Sequence, residues 1–264
     1  MRTTHPGPVA VTGRCEPAVP CWAGLLTGSL PTALDFYGPL LGWEFDQPGG
    51  GRWVTARAAG TPVAFLAGDG PADRAAWIPY FGTEDADGTA ELVRECGGTL
   101  AVGPIDTRLG RFAVAADPQG AAFGIRQLDG VDACVLGVGA SFGAELCCLD
   151  PFAAAVFYGE VFEWEQRPRI DIAFEDDRVV VRAGGVAAAA LRRADGDGYD
   201  GQHARWEVLF AVPDLDRAMR RASGLRGGVR RVLGAGEGRR VLLTDPQGAR
   251  FAVLGASRAA ADAG

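Results

Sequence analysis

The 264-residue chain has no lysine and no asparagine, only two histidines and two methionines, and all 26 of its basic side chains are arginine. Without lysine there is neither a Schiff-base amine nor a P-loop cation. With His5 and His203 alone, Ser-His-Asp and Cys-His arrangements have almost nothing to use. No apolar run approaches the ~20 residues of a membrane span. Residues 1–8 carry one arginine and no apolar stretch, so a secretory signal is not expected and the reading is cytoplasmic. The net charge is −7 with no basic block, which makes nucleic acid and anionic membrane poor partners. A nucleotide fingerprint is missing too: Gly234-Ala235-Gly236-Glu237-Gly238 connects two expected strands and opens no helix.

Cysteine is the one scarce reactive type present in some number: Cys15, Cys21, Cys96, Cys134, Cys147 and Cys148. In a chain of this length without a signal they read as free, partly buried thiols. The spacing of His5, Cys15 and Cys21 matches no usual zinc site. Vicinal Cys147 and Cys148 point to opposite faces of a strand, where two buried thiols are the plain expectation.

What the chain does have is a repeat. Asp117-Pro118-Gln119-Gly120-Ala121 returns as Asp245-Pro246-Gln247-Gly248-Ala249. Phe36-Tyr37 with Trp43 matches Phe157-Tyr158 with Trp164 (157 − 36 = 121), and Trp77 matches Trp206 (206 − 77 = 129). The offsets differ by eight residues, which places an insertion between Leu191 and Arg205; its run Asp195 to Gly201 reads as a solvated polar loop. With 48% hydrophobic and 22% charged residues, the halves suit two globular domains of ordinary size, at 15–128 and 139–256, with residues 128–139 as linker.

Each half reads as two similar units of strand, helix and further strands. In the first, an alternating stretch (Cys21 to Leu26) leads through Ser29-Leu30-Pro31 into a helix. Its apolar face is Leu34, Phe36, Tyr37, Leu40 and Leu41, with Gly42 as stop. β-rich segments follow at 53–57 and 62–67. The second unit starts at Trp77, has a helix near 87–96 and closes with strands around Thr99, 112–115 and 121–127. Asp150-Pro151 opens the third unit's helix as N-cap and N1; Glu163 stands where Gly42 stops the first. In the fourth, Pro213-Asp214 turns strand into helix.

Four βαβββ units, with Phe-Tyr in the first helix of each half and Asp-Pro-x-Gly before the last strand, resemble the vicinal oxygen chelate superfamily. This is the glyoxalase, bleomycin-resistance and extradiol-dioxygenase group, and the likeness is greatest to tandem-domain glyoxalase-like proteins of actinobacteria. It extends over about residues 18 to 256. The resemblance implies an α+β fold of two tandem domains, each of two βαβββ modules whose strands form a curved sheet cup around ligand and often a divalent metal. Modules one with two and three with four is the expected pairing, with one and four as the open alternative. Metal-dependent members carry His, Gln or Glu on the first strand of each module and Glu on the last. Carried over, those positions are Gly24, Ile78 and Gly124 in the first half and Glu145, Glu207 and Ala252 in the second, with a fourth near Ala189. A catalytic divalent site needs about three protein ligands, so no metal and no other cofactor is expected. His203, four residues before Glu207, reads as exposed.

Alternation puts Trp22, Gly24, Leu26, Ile78 and Tyr80 on the face of the first cup. Gly143, Glu145, Cys147, Arg205, Glu207 and Leu209 face the second; Arg126 and Arg250 point to the cups or their rims. Trp77, Trp206, Phe123, Ile125, Phe251 and Val253 fall behind, under helices. Trp22 and Tyr80 flanking small Gly24 suit a flat aromatic ligand, or are an ordinary aromatic core. Glu145 and Glu207 admit three readings. They are a structural ion pair with Arg205, Arg250 or another arginine, a ligand-binding remnant of a metal site, or a general acid/base pair. The functional expectation is metal-independent binding of a bulky, partly aromatic small molecule by a monomer or homodimer. The alternative is a metal-independent biosynthetic isomerase, cyclase or lyase using the two glutamates; a metal-dependent dioxygenase or glyoxalase conflicts with the ligand positions.

Overall fold

The computed structural model describes residues 13–14, 16–46, 52–68, 75–107, 110–128, 133–134, 142–175, 178–194, 204–234 and 239–255. His5, Cys15, His203, most of the interdomain segment and the Asp-Gly loop at 195–201 lie outside them. A two-residue strand β1 (Gly13–Arg14) precedes the first module, which is β2 (Pro20–Leu26), α1 (Leu30–Leu41), β3 (Glu44–Asp46), β4 (Trp53–Ala58) and β5 (Thr61–Ala67). The second is β6 (Ala76–Thr83), α2 (Ala86–Glu95), β7 (Thr99–Thr107), β8 (Gly110–Ala116) and β9 (Ala122–Gln127). After β10 (Ala133–Cys134), the third is β11 (Phe142–Cys148), α3 (Pro151–Val161), β12 (Ile170–Glu175), β13 (Arg178–Ala183) and β14 (Val186–Arg193). The fourth is β15 (Arg205–Val212), α4 (Leu215–Gly224), β16 (Gly228–Leu233), β17 (Arg240–Thr244) and β18 (Arg250–Gly255). All four have the expected βαβββ order. Within the stretch read as linker, β10 pairs antiparallel with β1, Gly13 opposite Cys134.

The helix ends follow from local chemistry. Ser29 caps α1 by accepting from Thr32 N, Pro31 sits in the first turn where no amide is needed, and Gly42 closes the helix at φ 70°. Asp150 caps α3 by accepting from Phe152 N and Ala153 N, 3.0 Å each. At its far end Glu163 takes the left-handed conformation (φ 53°) that glycine takes in α1. A single turn then buries Trp164, whose Nε1 donates to Ala18 O at 2.7 Å.

Two eight-stranded sheets result, one per half: β3-β4-β5-β2-β6-β9-β8-β7 and β12-β13-β14-β11-β15-β18-β17-β16. Each is centred on an antiparallel pair, with Gly24 opposite Ile78 in the first and Glu145 opposite Glu207 in the second. Modules one and two therefore share one ladder and three and four the other.

Behind the sheets the connection is different. There α1 packs on α4 and α2 on α3, so helix contacts run between modules one and four, and two and three. One apolar core spans both halves on this side, from Tyr37, Trp77 and Phe81 to Tyr158, Trp206, Phe210 and Phe251. Trp77 Nε1 donates to Tyr37 Oη (2.9 Å), which donates to Asp245 Oδ2 (3.1 Å). The mirror relay runs from Trp206 Nε1 to Tyr158 Oη (2.8 Å) to Asp117 Oδ2 (3.0 Å). Each relay crosses from one half into the other. The tryptophans are core residues as expected, and also hydrogen-bond donors.

Each aspartate heads an Asp-Pro-Gln-Gly turn. Asp117 Oδ1 accepts from Gln119 N (2.9 Å) and Ala121 N (2.8 Å), and Gly120 takes φ 89°, which a side chain would resist. The glutamine of each turn holds the residues that open the other half's helix. Gln119 Oε1 accepts from Leu149 N (3.1 Å) and Nε2 donates to Asp150 O (3.2 Å). Gln247 does the same for Ser29, at 2.7 and 3.0 Å. Gln247→Ala, which removes two part-buried hydrogen bonds, should lower stability by about 1–2 kcal/mol, and Gln119→Ala, whose bonds are exposed, by about 0.5–1 kcal/mol. An unchanged urea midpoint in both variants would contradict this role for the turns.

Candidate functional site

The two cups are built on matching ladders and filled in opposite ways. In the first, Trp22, Phe65, Ile78, Tyr80 and Phe112 pack into one cluster. Phe65 and Tyr80 meet edge-on with centroids 5.2 Å apart, and Tyr80 meets Phe112 at 5.6 Å. A Cβ added at Gly24 would lie 2.3 Å from Phe65 Cζ, and one at Gly124 would lie 2.1 Å from Tyr80 Cδ1. Arg126 lies over the Trp22 ring, 5.1 Å from its centroid. Trp53, 42% exposed, stacks on Phe65 at the rim. Burial raises the Tyr80 phenol well above its ordinary value. The structure thus brings Trp22, Tyr80 and Arg126 together, but as a plug. The space above Gly24, read from sequence as suiting a flat ligand, is taken by the Phe65 and Tyr80 rings; the arrangement is that of an aromatic core.

In the second cup the same ladder positions carry smaller side chains and no ring. Trp22 pairs with Tyr80 where Gly143 pairs with Leu209; Phe65 beside Gly24 becomes Ala190 beside Glu145. A Cβ built at Gly143 meets only Leu209 Cβ, at 3.9 Å. Gly24→Ala should therefore cost about 1–3 kcal/mol through overpacking, whereas Gly143→Ala should stay within about 0.5 kcal/mol of the parent. Thermal melts that ranked the two the other way round would show that the second cup is not the roomier one.

Beside this small-residue wall stands an ionic cluster. Glu145 and Glu207 are 4% and 3% exposed, directly opposite on β11 and β15. Arg192, from β14, places Nε 2.8 Å from Glu145 Oε1 and Nη2 3.5 Å from Glu207 Oε2. Arg205 Nη2 donates to Glu207 Oε1 at 3.2 Å, and Arg240 Nη1 lies against Glu145 Oε2. Three guanidinium groups face two carboxylates. Arg250, at the start of β18 opposite Thr244, is exposed. Cys147 is buried on the same face, and burial together with Glu207 holds its thiol well above the ordinary value, against a thiolate or redox role.

Arg192 and Arg240 escaped sequence reasoning, and a signal existed for both. Ala188, Ala190 and Arg192 alternate along β14 beside β11, and Arg240 occupies the position of Phe112, since each faces the last strand at the same step. On β14, Ala190 lies level with Glu145 on the cup face, and Ala189 lies level with Ala144, one residue off that face.

Burial raises the Glu145 carboxyl above 4.5, an effect its arginines oppose and Glu207 reinforces. Burial likewise raises Asp117 and Asp245 above 3.8, against their backbone and tyrosine donors. A raised carboxyl takes its proton in the folded state first, so stability rises as pH falls from neutral through these folded values. Asp87 and Glu175, lowered by hydrogen bonds from Arg111 and from Arg178 and Arg182, act the other way, stabilising above 3.8 and 4.5 and losing that below. A urea series from pH 8 to 4 should thus show maximal stability on the acid side of neutral. A steady decline with acidity from pH 8 would contradict the assignment.

The residues do not fit a divalent metal. Gly24, Ile78 and Gly124 offer no donor, and Gly24 and Gly124 are closed over by rings. In the second cup the two carboxylates already face three arginines, and Ala252 and the alanines at 187–190 stand where the resemblance puts further ligands. Among the described residues, no three His, Cys, Asp or Glu side chains gather at one point.

Comparison with known proteins agrees with this architecture. Residues 144–254 match the family model for a glyoxalase-like domain. The anthracycline biosynthesis protein DauV of Streptomyces sp. strain C5 is 34% identical, over 91% of this chain and 94% of its own. The anthracycline biosynthesis protein DnrV of Streptomyces peucetius is also 34% identical, with the same coverage. Among solved structures, a Mn(II)-bound glyoxalase from Novosphingobium aromaticivorans superposes with a TM-score of 0.60 at 14% identity, covering 93% of this chain and 83% of that one.

Proposed function

The chain belongs to the vicinal oxygen chelate superfamily of glyoxalase-like proteins, and from that premise we propose that it serves natural-product biosynthesis by binding a bulky, partly aromatic small molecule in its second cup without a metal. One observation carries the reading. Where the first cup is plugged by Trp22, Phe65 and Tyr80, the second has Gly143, Ala190 and Leu209, leaving an apolar wall beside a charged cluster. A mostly apolar recess with a few convergent polar groups is the ordinary form of a small-molecule site. The relatives named for anthracycline biosynthesis support a fused-ring aromatic as the occupant. Glu145, Glu207 and Arg205 then contact its polar edge, joined by Arg192 and Arg240. Arg250 stands at the rim. The plugged first cup, with Trp22, Tyr80 and Arg126, stays the lesser candidate for ligand. The protein acts in the cytoplasm as a monomer or homodimer, and no described helix is long and apolar enough to cross a membrane.

A second reading makes this cup catalytic, with Glu145 and Glu207 as acid and base. The raised Glu145 carboxyl favours it, because a proton donor near neutral pH needs such a shift. Two measurements decide. Elemental analysis of purified protein should find no stoichiometric metal; near-equimolar iron, zinc or manganese would sink the metal-free assignment. Anthraquinone should bind the parent and the Glu145→Gln and Glu207→Gln variants alike. Failure of anthraquinone to bind the parent would count against the aromatic site. If turnover of a pathway intermediate is found and both variants abolish it, the catalytic reading replaces the binding one.

A further inference from the structure

The ionic cluster is charge-balanced only approximately and hydrogen-bonded only in part. Glu207 Oε2 is buried and has no aligned donor among the described residues, although Arg192 Nη2 lies 3.5 Å away. Arg192 Nε is buried as well and has no aligned acceptor; Glu145 Oε1 is 2.8 Å off, but the N–H is not directed at it. A buried donor or acceptor whose partner stands out of line gives up much of what an aligned hydrogen bond contributes. Here the two belong to neighbouring groups, because the guanidinium whose Nε–H is out of line with Glu145 also faces Glu207 Oε2. Both stand on the cup face, on strands flanking Glu145, next to the wall of Gly143, Ala190 and Leu209.

Resting on the second cup as the ligand site, we infer that the cup selects molecules with a hydroxyl and a carbonyl on the same edge of an aromatic ring system. The carbonyl oxygen accepts from Arg192 Nε, and the hydroxyl donates to Glu207 Oε2. A single carboxylate on the ligand would satisfy the arginine and repel the glutamate; a lone hydroxyl or ketone would leave one of the two groups unsatisfied. Arg205 and Arg240, each about a quarter exposed or less, lie over the glutamates and are the side chains an entering ring edge would displace. Both ligand bonds are to charged groups and so are the stronger kind.

Three probes separate the contributions: 1-hydroxyanthraquinone, whose hydroxyl must turn from its internal bond with the neighbouring carbonyl to donate to Glu207 while Arg192 takes its place at that carbonyl, 1-methoxyanthraquinone, which keeps the oxygens but cannot donate, and unsubstituted anthraquinone. Equilibrium dialysis should show the hydroxy probe bound at least about tenfold more tightly than the methoxy probe, as one charge-assisted hydrogen bond provides. Glu207→Met should erase that preference, read as the ratio of hydroxy to methoxy affinity, and Glu207→Gln, which retains a neutral acceptor, should restore part of it. Should the Met variant fail to fold, the Gln variant must still lower the preference several-fold. Equal affinity for the two substituted probes, or a preference unmoved by either substitution, overturns this inference and leaves the aromatic site standing. No binding of any of the three overturns both.

Discussion

Tyr158→Ala should destabilise the protein by about 5 kcal/mol, enough to unfold much of a typical domain population at 37 °C. The ring is fully buried where the halves meet, stacked on Phe81 at 5.5 Å and edge-on to Trp206 at 5.3 Å. Truncating a buried aromatic costs about 3–5 kcal/mol by itself. Loss of the hydroxyl adds to this, because Trp206 Nε1 and Asp117 Oδ2 lose their common partner. Tyr158→Phe isolates that part: it keeps the ring, strands both groups, and should cost about 2–3 kcal/mol. The Tyr37→Phe change should behave alike, since Trp77 and Asp245 hold the same places around it. Urea unfolding of the two Phe variants is the measurement. Values within 0.5 kcal/mol of the parent would mean that water replaces the hydroxyl and that the relays contribute only packing.

The second large effect is expected in the cup. Glu145→Ala leaves Arg192 and Arg240 facing each other over a vacated, buried site. Removing one member of a buried ion pair costs about 3–5 kcal/mol, most of it from the charge left uncompensated. Replacing all five charged residues together, with Glu145, Glu207, Arg192, Arg205 and Arg240 changed to leucine or methionine, should cost far less and can even stabilise. The first cup is nature's parallel, since it fills these ladder steps with Gly24, Ile78, Ala67, Ala76 and Phe112. If the fivefold variant is stable yet no longer binds anthraquinones, the cluster exists for a ligand. A fivefold variant less stable than Glu145→Ala would instead make the cluster part of the framework.

The repeat, the four βαβββ units and the face of nearly every strand residue were legible because they depend on local periods and on turn chemistry. Gly42, Asp150 and the Asp-Pro-Gln-Gly turns mark their own ends in any context. What alternation could show was which face Trp22, Gly24 and Glu145 share, and not what stands on the next strand. Phe65 above Gly24 and Arg192 beside Glu145 come from strands whose register is set by the whole sheet. The filled first cup and the extra arginines were therefore hidden, although the repeat offset would have led to both. The role of Gln119 and Gln247 was beyond reach for another reason: each acts on a helix in the other half, across a contact that no local pattern encodes.

That contact bears on how the protein is made. During synthesis the start of α1 emerges early, but the glutamine that holds its cap residue Ser29 lies 218 residues further on, and the carboxylate that accepts the Tyr37 hydrogen bond is 208 residues away. While the first half leaves the ribosome, it can close its own ladder and plug its own cup, yet the back of its sheet has nothing to lie against. Contacts of such long sequence separation form slowly. The exposed aromatics of a half-made chain are then the aggregation hazard. The first helix thus gains its cross-half anchor only after the turn at Gln247 has been made, so docking of the first half's helix face waits on synthesis of the second half.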